Sequence, residues 1–336
     1  MPSLLHHNTF GLDVNCRHLV EYASLNELRA ALIEQVTRSG EPWLHIGQGS
    51  NLLFTRDYDG TVFHSRILGR EILEEHSEEV IVRAGAGEDW DTFVRWCVER
   101  GFYGLENLGL IPGEVGASAV QNIGAYGVEA GDLIINVHTV DTHTGDERIF
   151  SHSECDYAYR SSIFKTSLKG RFVVTHVDFR LSRNFEPNLN YAALTRELTL
   201  RNLPLHEISA RQLYDVIVDI RRQKLPDPKE VGSAGSFFMN PIVSSACFEE
   251  LLRLNPQMPY YKLSDDYVKI PAGWLIEQCG WKGRHLGRAG VYDRQALVLV
   301  NLGGATGEEI VRLSEAIRDD VQSRFGVDIQ PEVNFI

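Results

Sequence analysis

The sequence predicts an α+β protein with more than one domain. At 336 residues, 43% of them hydrophobic, the chain is long enough to bury more than one domain core. Apolar residues at helical spacing alternate with short strand-like runs in the first hundred residues. After about residue 134, strand-like runs joined by tight turns dominate, which is typical of an antiparallel sheet.

The first predicted elements are one helix and two short strands. Ser24 and Glu27 have the spacing of a capping box, and the helix that they open is predicted to run to Gly40. Strands are predicted over residues 43–47 and 61–65, with a polar, glycine-bearing loop after the first.

A second unit of strand and helix is predicted next, followed by an antiparallel lobe. The alternation over residues 80–83 predicts a strand, and the apolar face of residues 90–101 predicts a helix that ends at a glycine. Strands over residues 134–141, 148–150 and 172–181 then predict the antiparallel lobe.

The last part of the chain is predicted to hold two helices and a final strand. A polar stretch at residues 184–190 interrupts the pattern, and an apolar helix face over residues 213–220 ends before Pro226. A second capping box predicts a helix over residues 306–326, and the alternation of residues 327–336 predicts a final strand. We expect a domain boundary near residues 185–210.

Charge and cysteine content exclude several classes of protein. The net charge of −13 argues against nucleic acid or a membrane surface as a partner. Five widely spaced cysteines, with no Cys-x-x-Cys pair, indicate reduced thiols and a cytoplasmic protein. No signal region or long apolar run is visible. We expect no metal site, because metal-ligand spacing is absent from the N-terminal histidines, His6, His7, His18 and His45.

Two glycine-rich segments are candidates for binding a phosphorylated ligand. One is the loop of residues 47–53 after a predicted strand, and the other is the block from Gly104 to Gly127. Pro112 lies where a first helical turn is expected, which would leave free N–H groups for a pyrophosphate. Alone, the block fits a tight turn with a closely packed short helix equally well. Neither segment has a Walker or Rossmann pattern.

Eight motifs, in order and across almost the whole chain, resemble the UDP-N-acetylenolpyruvoylglucosamine reductase (MurB) family. These motifs lie at residues 8–11, 47–53, 111–127, 159–162, 222–226, 232–241, 272–276 and 331–335. The resemblance implies a two-lobed FAD-binding region of the vanillyl-alcohol-oxidase (PCMH) type and a C-terminal α+β substrate-binding domain. The predicted blocks are residues 1–68 and 69–210 for the two lobes and 211–336 for the substrate domain, whose final strand would pack toward the active site.

The resemblance also implies an activity in peptidoglycan precursor synthesis. NADPH would reduce bound FAD and leave, and UDP-N-acetylglucosamine enolpyruvate would then take the hydride on the same face. Hydride addition to an enolpyruvyl ether leaves negative charge beside the carboxylate, so a cation and a proton donor are needed there. No nicotinamide dinucleotide fingerprint is present. The sequence leaves protein partners unknown.

Residue roles follow from the matched motifs. Arg160 matches the arginine that polarises the substrate carboxylate, Ser236 the proton donor and Glu332 the assisting carboxyl group. The residues expected to bind FAD are Gly47, Gln48, Gly49, Ser50, Asn51, Leu52, Ile111, Pro112, Gly113, Gly116, Ala117, Ser118, Gln121, Asn122, Gly124, Ala125, Tyr126 and Gly127. The residues expected to bind the UDP-sugar are Tyr191, Lys224, Asn240, Tyr261 and Lys269.

Tyr191 and Tyr261 indicate the subgroup of the family in which a tyrosine-bearing loop closes over the nucleotide. Taken without the resemblance, Arg160 fits a surface ion pair, Ser236 a turn serine and Glu332 an exposed glutamate. Two other functions fit the same fold: an FAD-dependent oxidoreductase of another alcohol or sugar, and a UDP-sugar binder without catalysis. A binder has no need of a proton donor, which favours the reductase.

Overall fold

The computed structural model describes residues 1–37, 40–203, 205 and 207–336. The described chain forms eight α-helices, α1 Leu25–Thr37, α2 Trp90–Glu99, α3 Val115–Gln121, α4 Ala192–Leu200, α5 Ala210–Lys224, α6 Ser245–Leu254, α7 Ala272–Gln278 and α8 Gly307–Phe325. The first eleven strands are β1 Cys16–Tyr22, β2 Trp43–Ile46, β3 Leu52–Leu53, β4 Tyr58–Ser65, β5 Arg70–Glu75, β6 Glu79–Gly85, β7 Gly124–Ala125, β8 Val128–Glu129, β9 Ile134–Asp141, β10 Glu147–Ser151 and β11 Phe172–Ser182. The remaining strands are β12 Gly232–Ser236, β13 Ile242–Ser244, β14 Tyr261–Lys262, β15 Tyr267–Lys269, β16 His285–Leu286, β17 Ala289–Val291, β18 Val298–Asn301 and β19 Asn334–Phe335. None of the helices in the described ranges has the length and apolar character needed to cross a bilayer.

The N-terminal lobe is built on a three-stranded parallel sheet in the order β1, β4, β2. Helix α1 covers this sheet, and Tyr22, Leu28 and Phe63 are buried between them. The capping residues of α1 are confirmed, since the Glu27 amide donates to Ser24 Oγ at 3.2 Å. The predicted helix included residues 38 and 39, which lie outside the described residues.

The second lobe is a five-stranded antiparallel sheet in the order β10, β9, β11, β6, β5. The predicted antiparallel arrangement is therefore confirmed, with each strand extending to or slightly beyond its predicted bounds. Helices α2 and α3 bury their apolar faces on this sheet through Trp90, Phe93 and Ala119. The Asp89 carboxylate caps α2 by accepting from the Thr92 amide at 2.9 Å.

The C-terminal part consists of a four-stranded sheet, β12, β18, β17, β16, and a three-stranded sheet, β13, β15, β14. Its core is continuous with that of the N-terminal lobe, because Phe10 and Leu53 pack in one cluster with Phe237 and Ile310. Helix α8 begins at the predicted capping box, and Gly326 ends it in the left-handed conformation at φ 67°. The two ends of the chain therefore share one core.

Helices α4 and α5 pack against each other through a small apolar cluster that contains Leu194, Leu198, Leu213 and Ile217. Helix α5 confirms the helix predicted over residues 213–220, whereas α4 was not predicted. The expected domain boundary near residues 185–210 falls on this helix pair, and residues 204 and 206 within it lie outside the described residues.

The prediction of a continuous final strand over residues 327–336 is wrong. Only Asn334–Phe335 form a strand, paired in parallel with β3. The burial of Val327, Ile329 and Val333 produces the strand-like alternation. The segment facing residues 330–332 is the irregular chain after β12, which offers isolated hydrogen bonds rather than a ladder.

Candidate active site

A cavity of about 840 Å³ lies between the N-terminal lobe, the antiparallel sheet and the C-terminal tail. Twelve of the residues expected to bind FAD line it: Gly47, Gln48, Gly49, Ser50, Asn51, Leu52, Pro112, Gly113, Gly116, Ala117, Ser118 and Gln121. The two glycine-rich segments of the sequence therefore face the same space, although each belongs to a different lobe.

The fold requires two of these glycines for chain packing. A Cβ on Gly49, which has a φ of 70°, would lie 2.1 Å from the His7 carbonyl oxygen. A Cβ on Gly116 would lie 2.7 Å from the Cβ of Ala86, so α3 packs closely against the chain after β6. Tight packing, which the sequence left open as an alternative, thus accounts for Gly49 and Gly116.

The expected helix start at Pro112 is wrong, because α3 begins at Val115 with Glu114 as its N-cap residue. Residues 112–114 instead lead into the helix through a bend at Gly113, which has a φ of 132°. Pro112 and Gly113 still line the cavity.

The cavity suits a flavin dinucleotide. Its volume lies toward the upper end of the range of about 300–1,000 Å³ that is usual for ligand and cofactor sites. Ile46, Phe164 and Val174 supply apolar walls, while Gln48 and Ser50 bring polar groups on the glycine loop. Apolar walls suit an isoalloxazine ring, and polar groups on a flexible-backbone loop suit phosphate oxygens.

Six other residues expected to bind FAD do not line this cavity, namely Ile111, Asn122, Gly124, Ala125, Tyr126 and Gly127. Asn122 is buried and donates to Glu129 Oε2 at 2.7 Å and to the Ala158 carbonyl at 2.9 Å. The Gly124 carbonyl accepts from Arg160 Nη2 at 2.7 Å. These contacts hold the chain around Arg160.

Arg160 and Glu332 form an ion pair at one end of this region. Arg160 Nε lies 3.0 Å from Glu332 Oε1, and both side chains are largely buried, at 19% and 14% exposure. Arg160 has a φ of 55°, a left-handed conformation that is costly for a residue with a side chain and clusters at functional sites.

Three further contacts hold Glu332 in place. Its amide donates to the Phe237 carbonyl at 2.8 Å, and its carbonyl accepts from Asn51 Nδ2 at 3.3 Å. Its carboxylate accepts a hydrogen bond from Gln121 Nε2 at 3.2 Å, in addition to its ion pair with Arg160. Glu332 is thus connected to both glycine-rich segments.

Ser236 is the last residue of β12 and is exposed. The next residue, Phe237, is the one that binds the Glu332 amide, so Ser236 and Glu332 lie on adjoining chain segments. Gly235, with a φ of 67°, bends the strand just before Ser236. This bend interrupts the regular hydrogen-bond pairing of β12 with β18 near Ser236.

Four tyrosines and a lysine surround the entrance next to Arg160. Burial, together with the neighbouring Tyr261 hydroxyl, raises the pKa of Tyr191. The Tyr191 ring packs edge to face on Tyr126, with centroids 5.4 Å apart. Lys269 Nζ lies 4.8 Å from the ring centroid of Tyr159 and 5.7 Å from that of Tyr261. The structure thus brings Tyr191, Tyr261 and Lys269 together.

The other two residues expected to bind substrate are Asn240 and Lys224. Asn240 Oδ1 accepts from the Ala272 amide at 2.9 Å, and the Asn240 side chain lies next to Tyr159. Lys224 is exposed at the end of α5 and has no ion pair among the described residues. Its ammonium group is therefore available to an anionic ligand.

Sequence reasoning missed Lys165, which lines the cavity. Its Nζ donates to Gln121 Oε1 at 2.7 Å and to the Arg160 carbonyl at 2.8 Å. Burial lowers its pKa. No spacing signal joins residues 121, 160 and 165; only the position of Lys165 just after the 159–162 motif pointed to it.

One group of potential metal ligands does come together, contrary to what the spacing of the N-terminal histidines suggested. Ligand atoms of His7, Glu21 and His64 lie within 4.8 Å of one another. However, Arg66 already donates to Glu21 Oε1 at 2.8 Å, and His64 Nε2 lies 2.8 Å from Glu114 Oε1. These internal partners account for the grouping without a metal.

The fold and the site together define an FAD-dependent oxidoreductase. An FAD-binding domain model matches residues 17–151, and a model of the UDP-N-acetylenolpyruvoylglucosamine reductase C-terminal domain matches residues 227–336. A reductase of that name from Bacteroides fragilis is 54% identical over 99% of this chain and 98% of its own. One from Burkholderia ambifaria is 46% identical over 97% and 93%.

The chain belongs to the UDP-N-acetylenolpyruvoylglucosamine reductase (MurB) family. It is an FAD-dependent reductase of peptidoglycan precursor synthesis with NADPH as hydride donor. The crystal structure of the Thermus caldophilus member has the same fold, with a TM-score of 0.68 at 21% identity over 99% of this chain and 97% of that one. The FAD-binding region is of the PCMH type, followed by the family's C-terminal domain.

Proposed function

We propose that this chain converts UDP-N-acetylglucosamine enolpyruvate to UDP-N-acetylmuramate in the cytoplasm. The Arg160–Glu332 pair beside a flavin-sized cavity is the observation that carries this proposal. Bound FAD would supply the hydride chemistry that links NADPH to the terminal methylene carbon of the enolpyruvyl group. Five free cysteines fit a reducing compartment.

Arg160 binds and polarises the substrate carboxylate. Its guanidinium is a planar, permanently charged fork, and its Nη2 is held by the Gly124 carbonyl at 2.7 Å. Because the pair with Glu332 uses Nε, Nη1 remains for a ligand carboxylate. Negative charge that develops beside the carboxylate during hydride transfer is then met by a fixed positive charge.

Ser236 donates the proton to the carbon next to the carboxylate, and Glu332 assists. Ser236 is exposed at the end of β12, where a ligand can reach its hydroxyl. Glu332 accepts hydrogen bonds from Arg160 and Gln121, so it keeps the guanidinium oriented. The overall balance is one hydride at the methylene carbon and one proton at its neighbour.

The UDP-sugar binds across the entrance formed by Tyr191, Tyr261, Lys269, Asn240 and Lys224. Lys224 and Lys269 meet the diphosphate as point charges. The closeness of Tyr191 to Tyr261 is what supports membership of the subgroup with a tyrosine-bearing loop. Closure of that loop would exclude water from the reduced flavin.

The remaining assignments belong to the same proposal. Residues of the two glycine-rich segments would hold FAD. The 47–52 loop and Pro112, Gly113, Gly116, Ala117, Ser118 and Gln121 line the cavity that would accept it. Residues 1–68 and 69–210 form the two FAD-binding lobes, and residues 211–336 form the substrate domain. The two matched family models, which cover residues 17–151 and 227–336, support this division.

A product analysis tests the proposal. The purified, FAD-loaded protein would be incubated with NADPH and UDP-N-acetylglucosamine enolpyruvate, and the sugar nucleotide analysed by mass spectrometry. We expect a product heavier than the substrate by two hydrogen atoms, formed only when NADPH is present. Oxidation of NADPH with the sugar nucleotide unchanged would instead identify an oxidoreductase of another alcohol or sugar. Binding without NADPH oxidation would identify a UDP-sugar binder.

A further inference from the structure

Lys165 closes a ring of hydrogen bonds behind the catalytic pair. Its Nζ donates to Gln121 Oε1 at 2.7 Å, Gln121 Nε2 donates to Glu332 Oε1 at 3.2 Å, and Glu332 Oε1 lies 3.0 Å from Arg160 Nε. The ring returns to Lys165 through the Arg160 carbonyl, which accepts from Nζ at 2.8 Å. Four side chains from three distant segments are thereby tied together.

The lysine fixes which way the Gln121 amide faces. A glutamine side chain has one accepting oxygen and one donating nitrogen, and exchanging them would place the oxygen against the Glu332 carboxylate. An ammonium group only donates, so it holds the Gln121 oxygen on its own side. The Gln121 nitrogen is then presented to Glu332.

The same ammonium group supports the backbone of Arg160. At a φ of 55°, Arg160 is held in a left-handed conformation that is costly for a residue with a side chain and persists only where the surroundings impose it. The bond from Lys165 to the Arg160 carbonyl is one such constraint. Ser162 supplies another close by, through its hydroxyl bond to the Val120 carbonyl at 2.6 Å.

We propose that Lys165 is a positioning residue that holds Arg160 and Glu332 in their working orientation through Gln121 and the Arg160 carbonyl. This inference rests on the proposed function, because it assigns Lys165 to the step in which the sugar nucleotide is reduced. Lys165 also borders the cavity, yet its two acceptors are protein atoms, so its effect is expected on orientation rather than on substrate affinity.

The test follows the two half-reactions in FAD-loaded wild type and in Lys165→Met, with rates taken per bound flavin. We expect flavin reduction by NADPH to change less than about threefold and reoxidation by the sugar nucleotide to slow by about 10- to 100-fold, as for a misplaced catalytic group. The dissociation constant of the sugar nucleotide should stay within about threefold. Lys165→Arg, which can donate to both acceptors, should recover much of the rate.

A double-mutant cycle with Gln121→Leu separates positioning from a general structural effect. If Lys165 acts through Gln121, Gln121→Leu should slow reoxidation by the sugar nucleotide much less in the Lys165→Met background than in wild type. Lys282→Met is the control for loss of a lysine, since Lys282 pairs with Glu277 in the C-terminal part and should leave both half-reactions unchanged.

Wild-type reoxidation rates in Lys165→Met, or equal slowing of both half-reactions, would overturn the inference. Fully additive effects of Lys165→Met and Gln121→Leu would overturn it as well. These outcomes differ from a failure of the proposed function, in which the wild type itself would not be reoxidised by the sugar nucleotide.

Discussion

Arg160 Nε lies 3.0 Å from Glu332 Oε1, joining the loop before β11 to the C-terminal tail. The tail reaches this point because Glu332 is bonded through its main chain to Phe237 and Asn51. The position of Glu332 therefore depends on the 47–53 loop through Asn51, on α3 through Gln121 and on the end of β12. If that loop binds FAD as proposed, FAD binding and the placement of the proposed catalytic pair are expected to be coupled.

Ser236→Ala should separate the two half-reactions. Removal of the hydroxyl takes away a positioned proton donor, so reoxidation by the sugar nucleotide should slow by about 10²- to 10⁴-fold. Flavin reduction by NADPH should remain near normal. Stopped-flow absorbance of the flavin measures both rates, with Ser153→Ala as a control at an exposed serine bonded to Ser151. Equal loss in both half-reactions would rule out the role given to Ser236.

Glu332→Gln should also spare the first half-reaction. The amide keeps the shape of the carboxyl group but removes the charge that pairs with Arg160, so the second half-reaction should slow by at least about tenfold. The measurement is the same single-turnover reoxidation. Glu308→Gln, at an exposed position in the first turn of α8, is the matched control. A normal second half-reaction would show that the carboxylate is not used.

Lys224→Ala should weaken binding of the UDP-sugar. The exposed ammonium group has no ion pair within the described part of the chain. Loss of a charged hydrogen bond costs about 1.5–3 kcal/mol, which is roughly 10- to 150-fold in the dissociation constant. Titration calorimetry with UDP-N-acetylmuramate would measure this change. Lys282→Ala serves as control, and an unchanged affinity would place Lys224 outside the binding site.

His45 should make folding sensitive to mild acid. Burial lowers the pKa of His45 to about 4, whereas the unfolded value is about 6.5. As the pH falls, His45 is therefore protonated in the unfolded chain before it is protonated in the folded protein. The contribution of neutral His45 to the free energy of unfolding is complete above about pH 6.5 and is lost progressively between about pH 6.5 and pH 4. Between pH 7 and pH 5 the free energy of unfolding should fall by at most about 2 kcal/mol from this group, because the ring is partly exposed.

Urea denaturation at the two pH values checks this prediction. His45→Asn removes the titrating ring and should show a smaller loss between pH 7 and pH 5 than the wild type. His18→Asn controls for a general histidine effect, because His18 is only partly buried and its Nε2 lies 4.0 Å from Glu41 Oε2. An identical loss in wild type and His45→Asn would contradict the assignment.

Local signals in the sequence were sufficient for most helices and for the antiparallel lobe. The capping boxes at Ser24 and Thr306 and the alternation of residues 134–141 depend on neighbours within a few positions. The prediction of a final strand over residues 327–336 was wrong because strand pairing there depends on a segment distant in the sequence. Its alternation reflects burial alone, and its partner is an irregular segment far away in sequence. Helix α4 was missed because it follows a polar stretch and has only two buried residues, Leu194 and Leu198.

The site divides along the same line. The matched motifs predicted roles for Arg160, Ser236 and Glu332. The ion pair between Arg160 and Glu332 is consistent with the roles predicted for those two residues. The contact of Lys165 with Gln121 was beyond sequence reasoning, because it depends on the packing of α3 against the chain after the 159–162 motif. A lysine after an apolar residue has no local feature that distinguishes it from a surface charge.

The most direct test of the central claim is an anaerobic visible spectrum of the purified protein, recorded alone, after NADPH and after UDP-N-acetylglucosamine enolpyruvate. We predict a bound-flavin band that bleaches with NADPH and returns on addition of the sugar nucleotide, which establishes both half-reactions. Bleaching without recovery would contradict the proposed substrate and indicate a flavin dehydrogenase with another acceptor. A protein that holds no flavin after reconstitution with FAD would contradict the whole account.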